Sequence, residues 1–208
     1  MSNFNYYKPN NFPPIVKNLI IINVIVFVAQ YMLDEKYGIT DLFALWPIDS
    51  PKFKPYQIAT HMFTHGGVSH ILFNMFSLWM FGRILETVWG PKRFLLFYLI
   101  SGVGAAAVHL AVQHFTGGYA AAVGASGAIM GLLAAFGYLF PNTELYMMFI
   151  PIPIKAKWGV LIFVAIDLFG GIGRFAGDNI AHFAHLGGAA TGFILVLIWN
   201  KGNRKNFY

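Results

Sequence analysis

The chain contains no cysteine. Disulfides, a thiol nucleophile and thiolate-bound metal are therefore excluded, although the redox compartment is left open. Charge is scarce too, at 11% of residues against roughly 25% in an ordinary soluble domain. With 57% of its residues hydrophobic, the chain has too little polar surface to cover a globule in water. No charged or Pro/Ser-rich linker divides it and no internal repeat is evident, so a single domain is expected. Acidic residues are fewer than basic ones: eight Asp and Glu stand against 14 Lys and Arg, giving a formal net charge of +6. That excess is expected to hold loops on one side of a bilayer rather than to bind nucleic acid.

What is present is a series of long apolar blocks. A helix that crosses a bilayer needs roughly 20 mainly apolar residues. The first block, Ile15 to about Leu33, is too long for a signal-peptide core and is read as a retained helix. A loop with Pro47, Pro51 and Pro55 follows, from Asp34 to about Ala59. Further spans are predicted at about Thr60–Leu85, Arg93–Ala111, Ser126–Phe140, Trp158–Phe169 and Ile180–Trp199, with a loop at Pro141, Pro151 and Pro153. The fourth span is short and follows a Gly/Ala-rich stretch, Thr116–Gly124, so it should begin inside the membrane. The expected architecture is an all-α six-helix membrane bundle with a shortened, central fourth helix. The predicted division is a polar cytoplasmic segment at residues 1–14, a membrane domain at 15–200 and a basic cytoplasmic tail at 201–208. Six spans place both termini on one side. With the termini inside, all basic residues except Lys36, Lys52, Lys54 and Arg174 fall on the inner side. The expected location is the cell (inner) membrane with cytoplasmic termini.

Polar residues inside apolar spans are costly, and they mark functional candidates. Three clusters qualify: His61, His65, His70 and Asn74 in HMFTHGGVSHILFNMF, Gly124-Ala-Ser126-Gly127, and His182 and His185 in AHFAHLGGAATG. Ser126 stands where a glycine-rich segment becomes a helix, whose first N–H groups and positive dipole end could stabilise an oxyanion. Gly127 and Gly131 make a small-residue face on the fourth span, and Ala181, His185, Gly188 and Gly192 make one on the sixth. Two such faces let helix backbones approach closely, as a short serine needs to reach a histidine on another helix. His70 and Asn74 share one helical face and can both donate to a developing negative oxygen. His61 and His65 are expected near the outer interface in structural or solvated roles. Glu86 and Glu144 fall at the inner ends. Asp167 and Asp178 lie near the outer side, but nothing in the sequence aims either at His185, which favours a Ser–His dyad over a triad.

The segments HGGVSHILFN, GRILE, GASG and AHFAHLGGAATG, in this order, resemble the bacterial, six-span core type of the rhomboid intramembrane serine proteases. The resemblance runs from the first span to the sixth. It implies Ser126 as nucleophile and His185 as general base. It also implies an oxyanion site of His70, Asn74 and the Ser126 N–H, with Gly124 opening the GxSG motif. It implies cleavage of single-span membrane proteins near the outer end of the span, with no metal or cofactor. Many members carry Trp-Arg where this chain has Tyr56-Gln57, and some carry an aromatic residue at the position of Met130. The alternatives are a non-catalytic relative that binds membrane clients and a metalloenzyme ligated by His61, His65, His70, His182 and His185. A membrane di-iron site would bring carboxylates to those histidines, and none is expected within the spans. A transporter would show paired repeats with broken helices.

Overall fold

The structure is a computed structural model that describes residues 12–147, 150–173 and 181–202. Within these, α1 (Pro14–Tyr37), α4 (Val68–Trp89), α5 (Pro91–Thr116) and α8 (His182–Gly202) are the long helices. These four are long and apolar enough to cross a membrane by length and composition. Short helices α2 (Ile39–Phe43) and α3 (Gln57–Thr60) lie between α1 and α4, with a 3₁₀ turn at His61–Phe63. The remaining helices are α6 (Ser126–Leu139) and α7 (Ala156–Gly173).

Exposure separates the helices. Ile25 and Met32 on α1, Val68 and Leu72 on α4, Phe169 and Ile172 on α7 and Ile198 on α8 are all more than half exposed. A water-soluble surface seldom collects apolar side chains on this scale, whereas lipid accepts them. Helix α6 is the opposite: every residue from Gly127 to Gly137 is buried. A helix that is apolar all round belongs in the interior, and α6 is enclosed by α4, α5, α7 and α8. The short fourth helix is central, as its composition implied.

Small residues make this enclosure possible. A Cβ on Gly188 would collide with the backbone carbonyl of Gly127, and one on Gly192 would lie 2.5 Å from the Gly131 Cα. Gly131 meets the Ser101 side chain of α5 at 2.6 Å by the same measure. Helices α6 and α8 thus touch backbone to backbone along the glycine faces that the sequence aligns.

Two details depart from the sequence reading. Helix α4 begins at Val68, because Gly66 and Gly67 interrupt the apolar run that was expected to be helical from Thr60. The Pro141–Pro153 segment, expected to be a loop, contains an antiparallel hairpin of β1 (Glu144–Met147) and β2 (Ile150–Lys155), with Glu144 opposite Lys155. Both strands are edges, which is where Pro151 and Pro153 are tolerated. Glu86 closes the N-terminus of α1, accepting from the N–H groups of Ile15 at 3.0 Å and Val16 at 2.8 Å. These N–H groups lack partners within the helix, and a carboxylate beside them also suits the helix dipole.

The loop before α4 is organised around Gln57, 1% exposed. Its carbonyl oxygen accepts from Trp46 and Lys54 N–H, while its amide donates to the Leu42 and Lys52 carbonyls. In this chain Gln57 therefore has a structural task of its own.

Candidate active site

The segment leading into α6 is pinned before the helix starts. Leu45 and Ala122 exchange backbone hydrogen bonds of 2.9 Å each way. The Gly124 N–H donates to the His61 carbonyl at 2.9 Å. Gly124 has φ +117°, which side-chain-bearing residues rarely adopt. A Cβ there would lie 2.7 Å from the His70 ring and 3.7 Å from the Asn74 amide nitrogen. Glycine is thus required twice at this position, by conformation and by space.

Ser126, half-buried, is the first residue of α6. Its Oγ lies 2.8 Å from His185 Nε2 on α8. The contact joins helices whose glycines let them meet, and it has the length needed to pass a proton from hydroxyl to ring. His185 is 18% exposed and so reachable from outside the bundle.

The far side of the His185 ring is not empty. Its Nδ1 lies 2.9 Å from Asp167 Oδ1 on α7. The same oxygen is 2.8 Å from His182 Nδ1, one turn earlier on α8. The expectation that no aspartate faces His185, and that no carboxylate accompanies these histidines within the spans, is corrected for Asp167. The physical reason is the glycine pair that follows it. A Cβ on Gly170 would lie 2.5 Å from the His182 ring, and one on Gly171 would lie 3.0 Å from Phe183. Bare backbone at these positions lets α7 close on α8 and brings the carboxylate into reach. The legible signal was Asp167 followed three and four residues on by Gly170 and Gly171, on the α7 face that meets α8. Asp178 lies outside the described residues.

His70 and Asn74 stand on the other side of Gly124. The Gly66 N–H donates to His70 Nδ1 at 3.3 Å, so the ring proton is assigned to Nε2, on the edge that faces Gly124. Asn74, 5% exposed, gives one amide hydrogen to the His70 carbonyl at 3.0 Å. Its second hydrogen is uncommitted by that bond. Two donors thus flank the glycine two residues before Ser126.

His61 and His65 are more deeply buried than an interfacial location implies, at 5% and 3% exposure. Burial pushes His61 down to about 4, so its ring stays neutral in ordinary buffers. Burial, and then the His70 ring beside it, push His65 down to about 4 as well. His65 is gripped by Gln30, which accepts from its N–H at 2.9 Å and donates to its carbonyl at 3.2 Å. Its ring meets His70 edge-on at 5.1 Å. Gln30 is a support that the sequence reading missed. The five histidines do not converge on one point, and among the described residues no group of three His, Asp or Glu is arranged to hold a metal ion.

These features define a polytopic helical membrane protein with a serine–histidine pair at the mouth of its buried central helix. The chain belongs to the rhomboid family: the Rhomboid domain matches residues 52–201. It is 31% identical over 192 residues to the human presenilin-associated rhomboid-like protein, mitochondrial, covering 89% of this chain and 50% of that protein. It is 31% identical over 195 residues to rhomboid protein 1, mitochondrial, of Saccharomyces cerevisiae, covering 92% and 54%. It is 35% identical over 166 residues to RHOMBOID-like protein 6, mitochondrial, of Arabidopsis thaliana, covering 79% and 48%. The chain spans about half the length of the curated relatives it matches.

Proposed function

We propose that this chain is an intramembrane serine endopeptidase that cleaves single-span membrane proteins near the extracytoplasmic end of the span. The observation that carries the reading is the 2.8 Å contact between Ser126 Oγ and His185 Nε2, at the start of a helix buried inside an apolar bundle. In this reading His185 takes the proton of the Ser126 hydroxyl as Oγ attacks the scissile carbonyl. The tetrahedral oxyanion is met by the Ser126 N–H, His70 Nε2–H and the Asn74 amide, with Gly124 leaving room for the substrate backbone. The imidazolium then gives its proton to the departing amine and leaves an ester on Ser126. Water, deprotonated by the same ring, attacks the ester, and Ser126 recovers its proton. The reaction needs no metal or cofactor, and strong chelators should leave it intact.

Depth supports the choice of substrate. The 14 residues of α6 rise roughly 21 Å, against a hydrocarbon core of about 30 Å. A helix of that length with Leu139 at one interface would hold Ser126 about 10 Å inside the other, within reach of the end of a substrate helix. The reading includes six membrane crossings and both termini on the cytoplasmic side of the cell (inner) membrane, supported by the bias of basic residues.

The test is labelling by a fluorophosphonate probe in detergent, beside cleavage of a transmembrane substrate. Wild type should label and cleave, and Ser126→Ala should do neither. Cleavage that survives in Ser126→Ala, or that is lost to a chelator and restored by one specific metal, would remove the serine mechanism.

A further inference from the structure

We infer that Asp167 is a positioning residue for His185, and that His182 fixes the Asp167 carboxylate in that role. The inference rests on the reading of Ser126 and His185 as nucleophile and base, and adds a third and a fourth side chain behind them.

The geometry is a continuous line of hydrogen bonds. Ser126 Oγ meets His185 Nε2 at 2.8 Å, and His185 Nδ1 meets Asp167 Oδ1 at 2.9 Å. That oxygen meets His182 Nδ1 at 2.8 Å. An ionised carboxylate only accepts hydrogen bonds, so both rings must carry their proton on Nδ1. For His185 this leaves the Nε2 lone pair facing the Ser126 hydroxyl, the one tautomer able to take its proton. When that proton arrives, the imidazolium faces a carboxylate, which stabilises the charge formed in the transition state.

Cost argues in the same direction. Asp167 is the only acid on α7, in the stretch AKWGVLIFVAIDLFGGIG, and its side chain is 8% exposed. A carboxylate at that depth is expensive unless its oxygens are hydrogen-bonded. Packing alone at this position would be served by a small apolar residue. The cost is offset by two N–H donors from one face of α8, because His182 and His185 are three residues apart. His182 is 8% exposed, and its ring is seated on Gly170, where a Cβ would lie 2.5 Å away. A ring held there keeps the Asp167 carboxylate from swinging away from His185. The competing role for Asp167 is a fastening between α7 and α8 with no effect on chemistry, and the two roles make different predictions.

The experiment uses the full chain in detergent. Turnover and KM for a transmembrane substrate are measured per site titrated with a fluorophosphonate, beside melting temperature, for wild type, Asp167→Asn and Asp167→Glu, and cleavage by Ser126→Ala is measured per folded protein. An amide at Asp167 can donate to His185 Nδ1 and impose the wrong tautomer. Asp167→Asn should therefore lower kcat per titrated site by about 10²–10⁴ and slow probe labelling in parallel, with KM within about twofold. Asp167→Glu should regain part of kcat. A fall in melting temperature with wild-type kcat per titrated site in Asp167→Asn would overturn the assignment. Should Asp167→Asn not fold, the ¹⁵N shifts of His185 in the histidine-labelled wild-type protein decide. Protonation on Nδ1 supports the inference, and protonation on Nε2 overturns it. The two readings fail separately: full cleavage by Ser126→Ala removes the serine mechanism, whereas an inactive Ser126→Ala beside a fully active Asp167→Asn removes only the role of Asp167.

Discussion

Helices α6 and α7 are neighbours built to different rules. In α6 every residue from Gly127 to Gly137 is buried, and it meets α8 through glycine backbone. In α7 the buried positions among its described side chains are Ala156, Gly159, Asp167 and Gly170, a single stripe, while Leu161, Ile166, Phe169 and Ile172 face outward. The enclosed helix gives its first residue, Ser126, one place to be. The outer helix buries one stripe against α6 and α8, and the charged residue on that stripe, Asp167, meets α8. The comparison teaches that an isolated acid on a one-sided membrane helix should be read together with the small residues of its stripe. Those residues decide how near the next helix comes.

The same substitution at the α6–α8 seam and on α7 should have opposite consequences. Gly188→Ala drives a methyl group into the Gly127 carbonyl across the α6–α8 seam. Overpacking against backbone is among the costliest core changes, and a loss of about 3 kcal/mol or more is expected, seen as a large fall in melting temperature and in probe-reactive protein. Gly159→Ala on α7 meets only Leu145 Cδ1 at 3.8 Å, an ordinary contact. It should stabilise by up to about 1 kcal/mol, because alanine is the better helix former and meets no clash. Equal effects in a thermal unfolding series would show that the α6–α8 seam and α7 are not held differently.

Smaller than the seam's effect on folding, but confined to chemistry, is the expected effect of the donors beside Gly124. His70→Ala or Asn74→Ala should lower turnover per titrated site by about 10²–10³, with a lesser change in apparent KM. A role limited to helix contact would lower melting temperature and leave turnover of the folded fraction unchanged. Measuring both quantities on the same preparations separates the two.

The parts that were legible in the sequence share a physical cause. Spans with uninterrupted apolar runs, such as α1 and α5, were placed within a few residues, because length and hydropathy alone set them. Ser126 and His185 could be paired from sequence, because Gly127, Gly131, Gly188 and Gly192 mark surfaces that must touch. The start of α4 was placed too early, because the residues between Thr60 and Gly67 are apolar enough to mimic a helix while serving as a buried support. There the His61 carbonyl holds Gly124 and the His65 ring braces His70. The hairpin after α6 was hidden by its prolines, which read as loop unless both strands are known to be edges. Gln30 and Gln57 work through backbone groups distant in sequence, and no local pattern announces such bonds. Asp167 was visible, but its partner was legible only through Gly170 and Gly171.

The central claim is that Ser126 and His185 act as one unit across the α6–α8 seam. Its most direct test is a double-mutant cycle on cleavage of a transmembrane substrate in proteoliposomes, with folded protein quantified for each variant. Ser126→Ala and His185→Ala should each abolish catalysed cleavage, and the double variant should be no slower than either single one, because nucleophile and base that work together are lost together. Substantial turnover in His185→Ala, or a double variant slowed by the product of the two single effects, would contradict the account.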